Sequence, residues 1–170
     1  MIPRMTPREC SCATILGALL ALGLCLSPAS GQDQGSAHAG TAVSAVVVAR
    51  AWARATTSDA LSGAIYCELR NPTAHDQALR TASAAVCDHC ELHVHRIDAQ
   101  GVMHMSQVDH LTIPAAGTLL LQPGAIHLML LGLAHGLTQG QSLRVVLRFD
   151  DGTATVVVPI LAAGAMGPDG

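Results

Sequence analysis

The nine residues RFDDGTATV, residues 148–156, decide the fold class of this sequence. They contain an Asp-Gly pair at 151–152, a dipeptide typical of the tight turn between two antiparallel strands. On the N-terminal side, SLRVVLRF (142–149) alternates apolar and polar residues with the period of two that a half-buried strand requires. On the C-terminal side, TATVVVPI (153–160) is rich in β-branched residues, which favour strands. The stretch therefore predicts a β-hairpin.

Strand-like segments of the same kind recur along the chain and are separated by turn residues. The turn signals include Asn71-Pro72, Pro123-Gly124 and Gln139-Gly140. About eight short strands at this spacing favour an all-β fold, either a β-sandwich or a small barrel, in a single domain. The six further predicted strands are 42–52, 62–71, 90–97, 101–108, 117–122 and 125–132.

Residues 1–31 have the pattern of a secretory signal peptide. Two arginines precede an apolar core at 12–26, and small residues follow it, so that cleavage after Ala29 or Gly31 is expected. The apolar core is shorter than the roughly 20 residues that a membrane-spanning helix needs. No later segment is long and apolar enough either, so we expect an exported chain with no membrane span after cleavage.

The remaining boundaries follow from composition. Lipid attachment at Cys25 is disfavoured, because the bulky Leu24 stands where a lipoprotein signal has a small residue. Beyond the signal peptide we predict a flexible lead-in at 32–41, a β-sandwich domain at 42–161 and a short tail at 162–170.

The charge of the chain excludes several functions. It has nine arginines, no lysine and twelve acidic residues, which gives a formal net charge of −3. No basic patch suggests binding to nucleic acid or to an anionic membrane surface. No nucleophile with a neighbouring base and no phosphate-binding loop stands out, so we do not predict an enzyme.

Histidine and methionine are concentrated in one part of the chain. Three of the four methionines that follow the signal peptide lie between residues 103 and 129, and six histidines lie between residues 89 and 127. Alternate side chains of a β-strand share a face, so three short segments each present a pair of these residues on one face. The pairs are His93 with His95, Met103 with Met105, and His127 with Met129.

This clustering indicates a metal site. A single methionine on a strand usually fills space in the core, but three such pairs within forty residues are not explained by packing. Thioether sulfur is a soft ligand that suits Cu(I), and imidazole suits either oxidation state of copper. Because the three pairs include no carboxylate, the sequence predicts a site for Cu(I).

The spacing of these residues resembles the motif of the periplasmic copper chaperones called PCuAC. That motif is a His, one residue that is often Met, ten residues, a Met, twenty-one residues and His-x-Met. Here His93, Met105, His127 and Met129 follow one another at these spacings without a gap. The resemblance covers residues 43–160, including the stretches ARAWARAT and SGAIYCELRNP.

The resemblance implies a cupredoxin-like or Ig-like β-sandwich of about eight strands in a periplasmic protein. It implies that two His and two Met bind one Cu(I), and that the copper is delivered to the copper centre of cytochrome c oxidase, with a Sco-type protein as a further partner. The implied ligands are His93, Met105, His127 and Met129. Relatives often have Met close after the first His, where this chain has Val94 and His95. His95 is an auxiliary candidate together with Met103.

Three cysteines follow the signal peptide, and the sequence leaves their role open. Such an odd number in an exported protein predicts at most one disulfide. The CDHC motif that contains Cys87 and Cys90 is compatible with a short-range disulfide, with an auxiliary thiol site, or with thiols that bind nothing. The alternative functions are a zinc site formed by these cysteines with His93 and His95, or a purely structural secreted sandwich. A blue-copper electron carrier would need a Met after Cys90 and His93, where this chain has Arg96 and Ile97. A thioredoxin-like oxidoreductase would need the Cys-x-x-Cys motif to open a helix, whereas the surrounding pattern here predicts strands.

Overall fold

The computed structural model describes residues 42–168, and every regular element in this part of the chain is a β-strand. The predicted all-β class is therefore confirmed. The predicted signal peptide (1–31) and lead-in (32–41) lie outside the described residues. The strands are β1 Val47–Arg54, β2 Ser62–Arg70, β3 Gln77–Ala84, β4 Cys87–Ile97, β5 Met103–Val108, β6 Leu111–Ile113, β7 Thr118–Leu121, β8 His127–Leu133, β9 Ser142–Phe149 and β10 Thr153–Leu161.

The strands form a β-sandwich. Neighbouring strands follow the order β5-β4-β8-β2-β1-β10-β9-β3-β6, and β7 pairs with β2. Strands β1 and β10 pair in parallel, whereas the other strand pairs are antiparallel. This parallel pair joins a sheet of β1, β2, β4, β5, β7 and β8 to a sheet of β3, β6, β9 and β10. Apolar side chains from both sheets meet in one core.

Strands β9 and β10 form the hairpin that RFDDGTATV predicts. Thr153 pairs with Arg148, and the amide of Phe149 donates a hydrogen bond of 2.7 Å to the carbonyl of Gly152. Exposed and buried residues alternate along the whole of β9. Its apolar side chains therefore enter the core, and the buried ones are Leu143, Val145, Leu147 and Phe149.

The sequence pattern does not predict strands β3 and β6. Strand β3 has the sequence QALRTASA, which contains only one β-branched residue, and β6 is three residues long. Both become strands because partners are available: Leu79 of β3 pairs with Phe149 on one side and with Leu111 of β6 on the other. Strand propensity depends strongly on such context. The described residues thus hold ten strands rather than about eight, and β4 begins at Cys87 rather than at Cys90.

Strand β8 is anchored firmly in the core. Leu128 and Leu130 are 1% and 0% exposed. Burying a leucine side chain contributes roughly 1.5–3 kcal/mol of hydrophobic free energy. Residues on the opposite face of β8 are therefore held by a well-packed strand rather than by a loop.

The segment after β10 lies against β1. Arg54 donates a hydrogen bond of 2.8 Å from Nε to the carbonyl of Ala165, and its Nη2 contacts the sulfur of Met166 at 3.0 Å. The predicted tail is thus in contact with the sandwich as far as it is described. Between residues 42 and 168, no helix has the length and hydropathy needed to cross a bilayer.

Candidate metal centre

Strands β4 and β8 lie side by side, and their register sets two histidines opposite each other. His93 of β4 faces His127 of β8, and Glu91 faces Met129. Directly opposed residues of antiparallel strands share a face of the sheet. The residue between the two on β8, Leu128, points into the core. The other face of these strands therefore carries imidazole, carboxylate and thioether groups.

Strand β5 extends this face on the far side of β4. Met105 lies opposite His95, and Met103 lies opposite Ile97. His95 is two residues from His93 and shares its face. The four ligands predicted from the sequence, together with His95, thus lie on one face of three adjacent strands. We call this set of five residues the His/Met face.

The two methionines lie at opposite ends of the His/Met face. Met129 is level with Glu91, whereas Met105 is level with His95, four residues further along β4. With about 3.3 Å per residue and about 4.8 Å between strands, their Cα atoms would be about 16 Å apart in a flat sheet. The histidines lie between them. One ion can be shared by both sulfurs only if the two methionine side chains extend towards the imidazoles.

The three imidazoles form a close group around His127. The ring centroid of His127 is 5.8 Å from that of His93 and 5.2 Å from that of His95, and the latter pair is nearly perpendicular at 86°. His127 is only 6% exposed, whereas Met105 is 52% exposed. The His/Met face is therefore buried at His127 and exposed to solvent at Met105 on β5.

The hydrogen bonds of the rings indicate which nitrogens are free to bind a metal. Nε2 of His93 lies 2.7 Å from Oε2 of Glu91, which assigns the ring proton to Nε2 and leaves Nδ1 as the free nitrogen. Nδ1 of His127 lies 3.4 Å from the carbonyl oxygen of Ala125, which favours Nε2 as its free nitrogen. The Nδ1 atoms of His93 and His95 are buried and have no hydrogen-bond partner among the described residues. Buried polar atoms are normally paired, so these atoms fit the role of metal ligands.

The environment of His127 also favours the ligand form of its ring. Burial lowers the pKa of His127 below its usual value, and the nearby His95 and His93 add to this effect, while the hydrogen bond to Ala125 opposes it. A histidine must be neutral to bind a metal. The folded chain thus favours the neutral form of His127, which is the form that binds a metal.

Two of the chain's three aromatic residues lie beside the histidines, which the sequence pattern does not reveal. The ring of Tyr66 is 6.3 Å from that of His127, and Trp52 stacks on Tyr66 at 4.6 Å. The guanidinium of Arg54 lies 5.8 Å and 5.7 Å from the two aromatic rings. The two buried aromatic rings therefore lie beside His127 on the β2 side of the His/Met face, with the Arg54 cation over them.

Glu91 is a second residue that sequence reasoning missed. Its two carboxylate oxygens lie 2.7 Å from Nε2 of His93 and 3.4 Å from Nε2 of His89. Carboxylates that accept a hydrogen bond from a metal-binding histidine fix the orientation of its ring. The signal is present in the sequence, because Glu91 is two residues before His93 and shares its face.

The cysteines do not join the histidines. The sulfurs of Cys87 and Cys90 are 3.7 Å apart, and both residues pack against the core. Cys90 pairs with Leu130, whose side chain is in the core, whereas His93 points to the opposite face of β4. Burial, followed by the neighbouring Cys87, raises the pKa of Cys90 to about 12, so its thiol stays protonated. Cys67 is buried elsewhere in the core.

The zinc cluster considered above is therefore not assembled. Within residues 42–168, no three His, Cys, Asp or Glu side chains form a group that could hold a metal ion as they stand. A metal on the His/Met face thus requires methionine sulfur or a rotation of the imidazole rings. The donor set that remains, neutral imidazoles and thioethers, fits copper better than zinc or calcium.

Comparison with solved structures places the sandwich among known domains. The copper-bound PCuAC domain from PmoF2 superposes with a TM-score of 0.61 at 19% identity, over 71% of this chain and 96% of that domain. The Cu(I) form of DR1885 from Deinococcus radiodurans superposes with a TM-score of 0.55 at 29% identity, over 74% of this chain and 83% of that one. The predicted cupredoxin-like sandwich is thus confirmed.

Comparison of sequences identifies the family. "Putative lipoprotein Lxx21020" of Leifsonia xyli subsp. xyli (strain CTCB07) is 33% identical over 159 residues, which is 91% of each chain. The model of a family described as "LpqE-like: Putative lipoprotein LpqE-like" matches residues 46–160. Such relatives indicate a protein of the cell envelope or the exterior. The described sandwich is also similar to PCuAC domains, and the chain belongs to the LpqE-like family.

Proposed function

We propose that this protein is an exported copper(I) chaperone. It binds one Cu(I) through His93, Met105, His127 and Met129 and passes the ion to a partner. The observation that carries the proposal is the His/Met face itself, on which two imidazoles oppose each other at 5.8 Å with a thioether on either side. Four neutral donors, two of them soft sulfurs, suit a monovalent soft cation.

The neighbouring structures support copper as the cargo. One is the Cu(I) form of a protein with 29% identity to this chain, and another is a copper-bound domain of the same fold. Both of these structures hold copper, and we propose that this chain carries the ion and is not an enzyme. The exposed position of Met105 fits a carrier, because a ligand at the surface can be replaced by a ligand of the partner.

The recipient and the compartment are part of the proposal. We infer delivery to the copper centre of cytochrome c oxidase, with a Sco-type protein as a further partner, in the periplasm or its equivalent outside the cytoplasmic membrane. The mass of the protein recovered from cells tests export. Cleavage after Ala29 or Gly31 is expected, whereas a lipid-modified Cys25 would make the protein a membrane-anchored lipoprotein.

A metal titration of the purified protein under anaerobic conditions tests the cargo. Competition with a chromophoric Cu(I) chelator should give one Cu(I) per chain, and the same protein should bind Zn²⁺ far more weakly. Equal or tighter binding of Zn²⁺ would overturn the proposal. Transfer is tested by mixing the Cu(I)-loaded protein with the soluble copper-binding domain of the oxidase subunit and following copper by gel filtration.

A further inference from the structure

Cys87 and Cys90 lie at the beginning of β4, and their sulfur atoms are in contact. The two Sγ atoms are 3.7 Å apart, and Sγ of Cys87 is also 3.6 Å from the carbonyl oxygen of Ala84 at the end of β3. A disulfide bond is about 2.03–2.05 Å long, so the sulfurs need to approach each other by about 1.7 Å. Rotation of the two side chains about their Cα–Cβ bonds moves sulfur atoms on this scale. The two thiols are therefore placed to form a bond with each other.

The third cysteine of the described residues, Cys67, is too far away to compete for Cys90. Cys90 is level with Leu130 of β8, and Leu130 is level with Gly63 of β2. Cys67 lies four residues beyond Gly63, so its Cα atom is about 16 Å from that of Cys90 in a flat sheet. Cysteines joined by a disulfide have Cα atoms less than about 7 Å apart. The fold thus settles the pairing that three cysteines leave open.

The same two thiols are accessible to a reagent, whereas Cys67 is not. Cys87 and Cys90 are half-buried, and Cys67 is 7% exposed. Burial and the neighbouring Cys87 raise the pKa of Cys90 to about 12. Because the thiolate is the nucleophile in thiol–disulfide exchange, Cys87 is the residue expected to attack an oxidant first, with Cys90 as the residue that completes the bond.

We infer that Cys87 and Cys90 form an intramolecular disulfide in the exported protein, and that Cys67 remains a free thiol. The inference rests on the export that is part of the proposed function, because disulfides persist outside the cytoplasm. The oxidant is the disulfide of another protein or of a small thiol compound. Cys87 displaces one thiol from it and forms a mixed disulfide, and Cys90 then displaces the second thiol. Two protons and two electrons pass from the cysteines to the oxidant, which is reduced to two thiols.

This modification has a consequence for the proposed copper site. The disulfide closes a four-residue ring, 87–90, at the start of the strand that carries His93. The thiolate is the form of cysteine that binds metals. Formation of the disulfide therefore removes the two soft ligands at this end of β4 that could compete with the methionine sulfurs for Cu(I).

Alkylation of the protein recovered from the exported fraction tests the pairing. The sample is quenched in acid without a reductant, unfolded in guanidinium at neutral pH and treated with iodoacetamide, and its peptides are mapped by mass spectrometry. Cys67 should be labelled, whereas the segment with Cys87 and Cys90 should be unlabelled and lighter by two hydrogen atoms than its reduced form. Reduction with dithiothreitol before labelling should add two labels to this segment. Labels on all three cysteines without reduction would overturn the inference.

Oxidation of the purified mature protein tests the same pair independently of export. The reduced protein is incubated with oxidised glutathione, and the disulfide should form both in the unaltered protein and in the control variant Cys67→Ser. Cys90→Ser should instead retain glutathione at Cys87, because the second displacement is lost. Loss of the disulfide in Cys67→Ser, or glutathione on Cys87 and Cys90 separately in the unaltered protein, would contradict the pairing. A Cys90→Ser variant without glutathione would contradict the order of attack.

The outcomes separate this inference from the proposed function. If the exported protein contains the disulfide but binds no Cu(I), the inference stands and the copper chaperone falls. If the protein binds Cu(I) while Cys87 and Cys90 stay reduced in both experiments, the inference is overturned and the Cu(I) proposal stands. If glutathione produces the disulfide but cells retain the protein in the cytoplasm with reduced cysteines, the pairing stands, and export falls together with the disulfide in the cell.

Discussion

His93 on β4 lies directly opposite His127 on β8, and their ring centroids are 5.8 Å apart. This pairing links the candidate metal centre to the core, because Leu128 and Leu130, which follow His127 along β8, are buried. Leu128, which is 1% exposed, fixes the strand that presents the ring. One face of β8 therefore packs leucines into the core, and the other presents His127 and Met129 on the His/Met face.

The first prediction concerns this division. Leu128→Ala should lower the free energy of unfolding by about 2–5 kcal/mol, the usual cost of removing a buried leucine side chain. Leu120→Ala is the control on β7, where the side chain is 52% exposed, and it should change stability by less than about 0.5 kcal/mol. Urea denaturation followed by circular dichroism measures both. Equal effects of the two changes would mean that β8 is not oriented as described.

Most of these strands can be predicted from the sequence, because the alternation of apolar and polar residues and the residues that form turns depend only on neighbours in the chain. Strand β9 alternates perfectly, and the Asp-Gly pair at 151–152 specifies its hairpin, so both are predicted correctly. Strand β3 cannot be predicted in this way, because its alanines and arginine acquire strand geometry only through pairing with β9 and β6. Such pairing is a property of the folded chain.

The second prediction concerns the support of His93. Glu91→Gln removes the negative charge that accepts the hydrogen bond from Nε2 of His93, and it should lower Cu(I) affinity by about 10–100-fold. Glu68→Gln is a matched control on β2, since that carboxylate pairs with Arg70. It should leave Cu(I) affinity unchanged. An anaerobic competition titration compares the two variants, and equal affinities would show that Glu91 has no role in holding the ring.

The third prediction concerns the thiol of Cys67. Burial raises the pKa of Cys67 to about 12, so at about pH 8 only about one thiol in ten thousand is ionised, and the thiolate is the reactive form. Iodoacetamide should therefore leave Cys67 unmodified in the folded protein and modify it after unfolding in guanidinium. Peptide mass spectrometry reads both results. Rapid labelling of the folded protein would contradict the described burial.

The members of the metal centre were predicted to different degrees. Alternation along β8 predicts that His127 and Met129 share a face, and the register of β4 with β5 and β8 sets His93 and Met105 on that same face. Their role as ligands remains a prediction. Tyr66 could not be linked to His127 from the sequence, because the two lie on strands far apart in the chain and meet only through the pairing of β2 with β8.

The fourth prediction concerns the two methionines. Met105→Leu and Met129→Leu should each lower Cu(I) affinity strongly, because leucine has no sulfur to donate. Each should change the free energy of unfolding by less than about 1.5 kcal/mol, since the two side chains have similar volumes. Met166→Leu, in the segment after β10 and 68% exposed, is the control and should bind Cu(I) normally. Thermal melts accompany the titrations.

Anaerobic Cu(I) titration of Met129→Leu beside the double variant Cys87→Ser and Cys90→Ser decides whether copper binds on the His/Met face or at the cysteines. The two cysteine sulfurs lie 3.7 Å apart and pack against the core, away from the His/Met face. The serine variant should still bind one Cu(I) with nearly unchanged affinity, whereas the leucine variant should bind it much more weakly. If the serine variant loses Cu(I) and the leucine variant retains it, copper binds at the cysteines and not on the His/Met face.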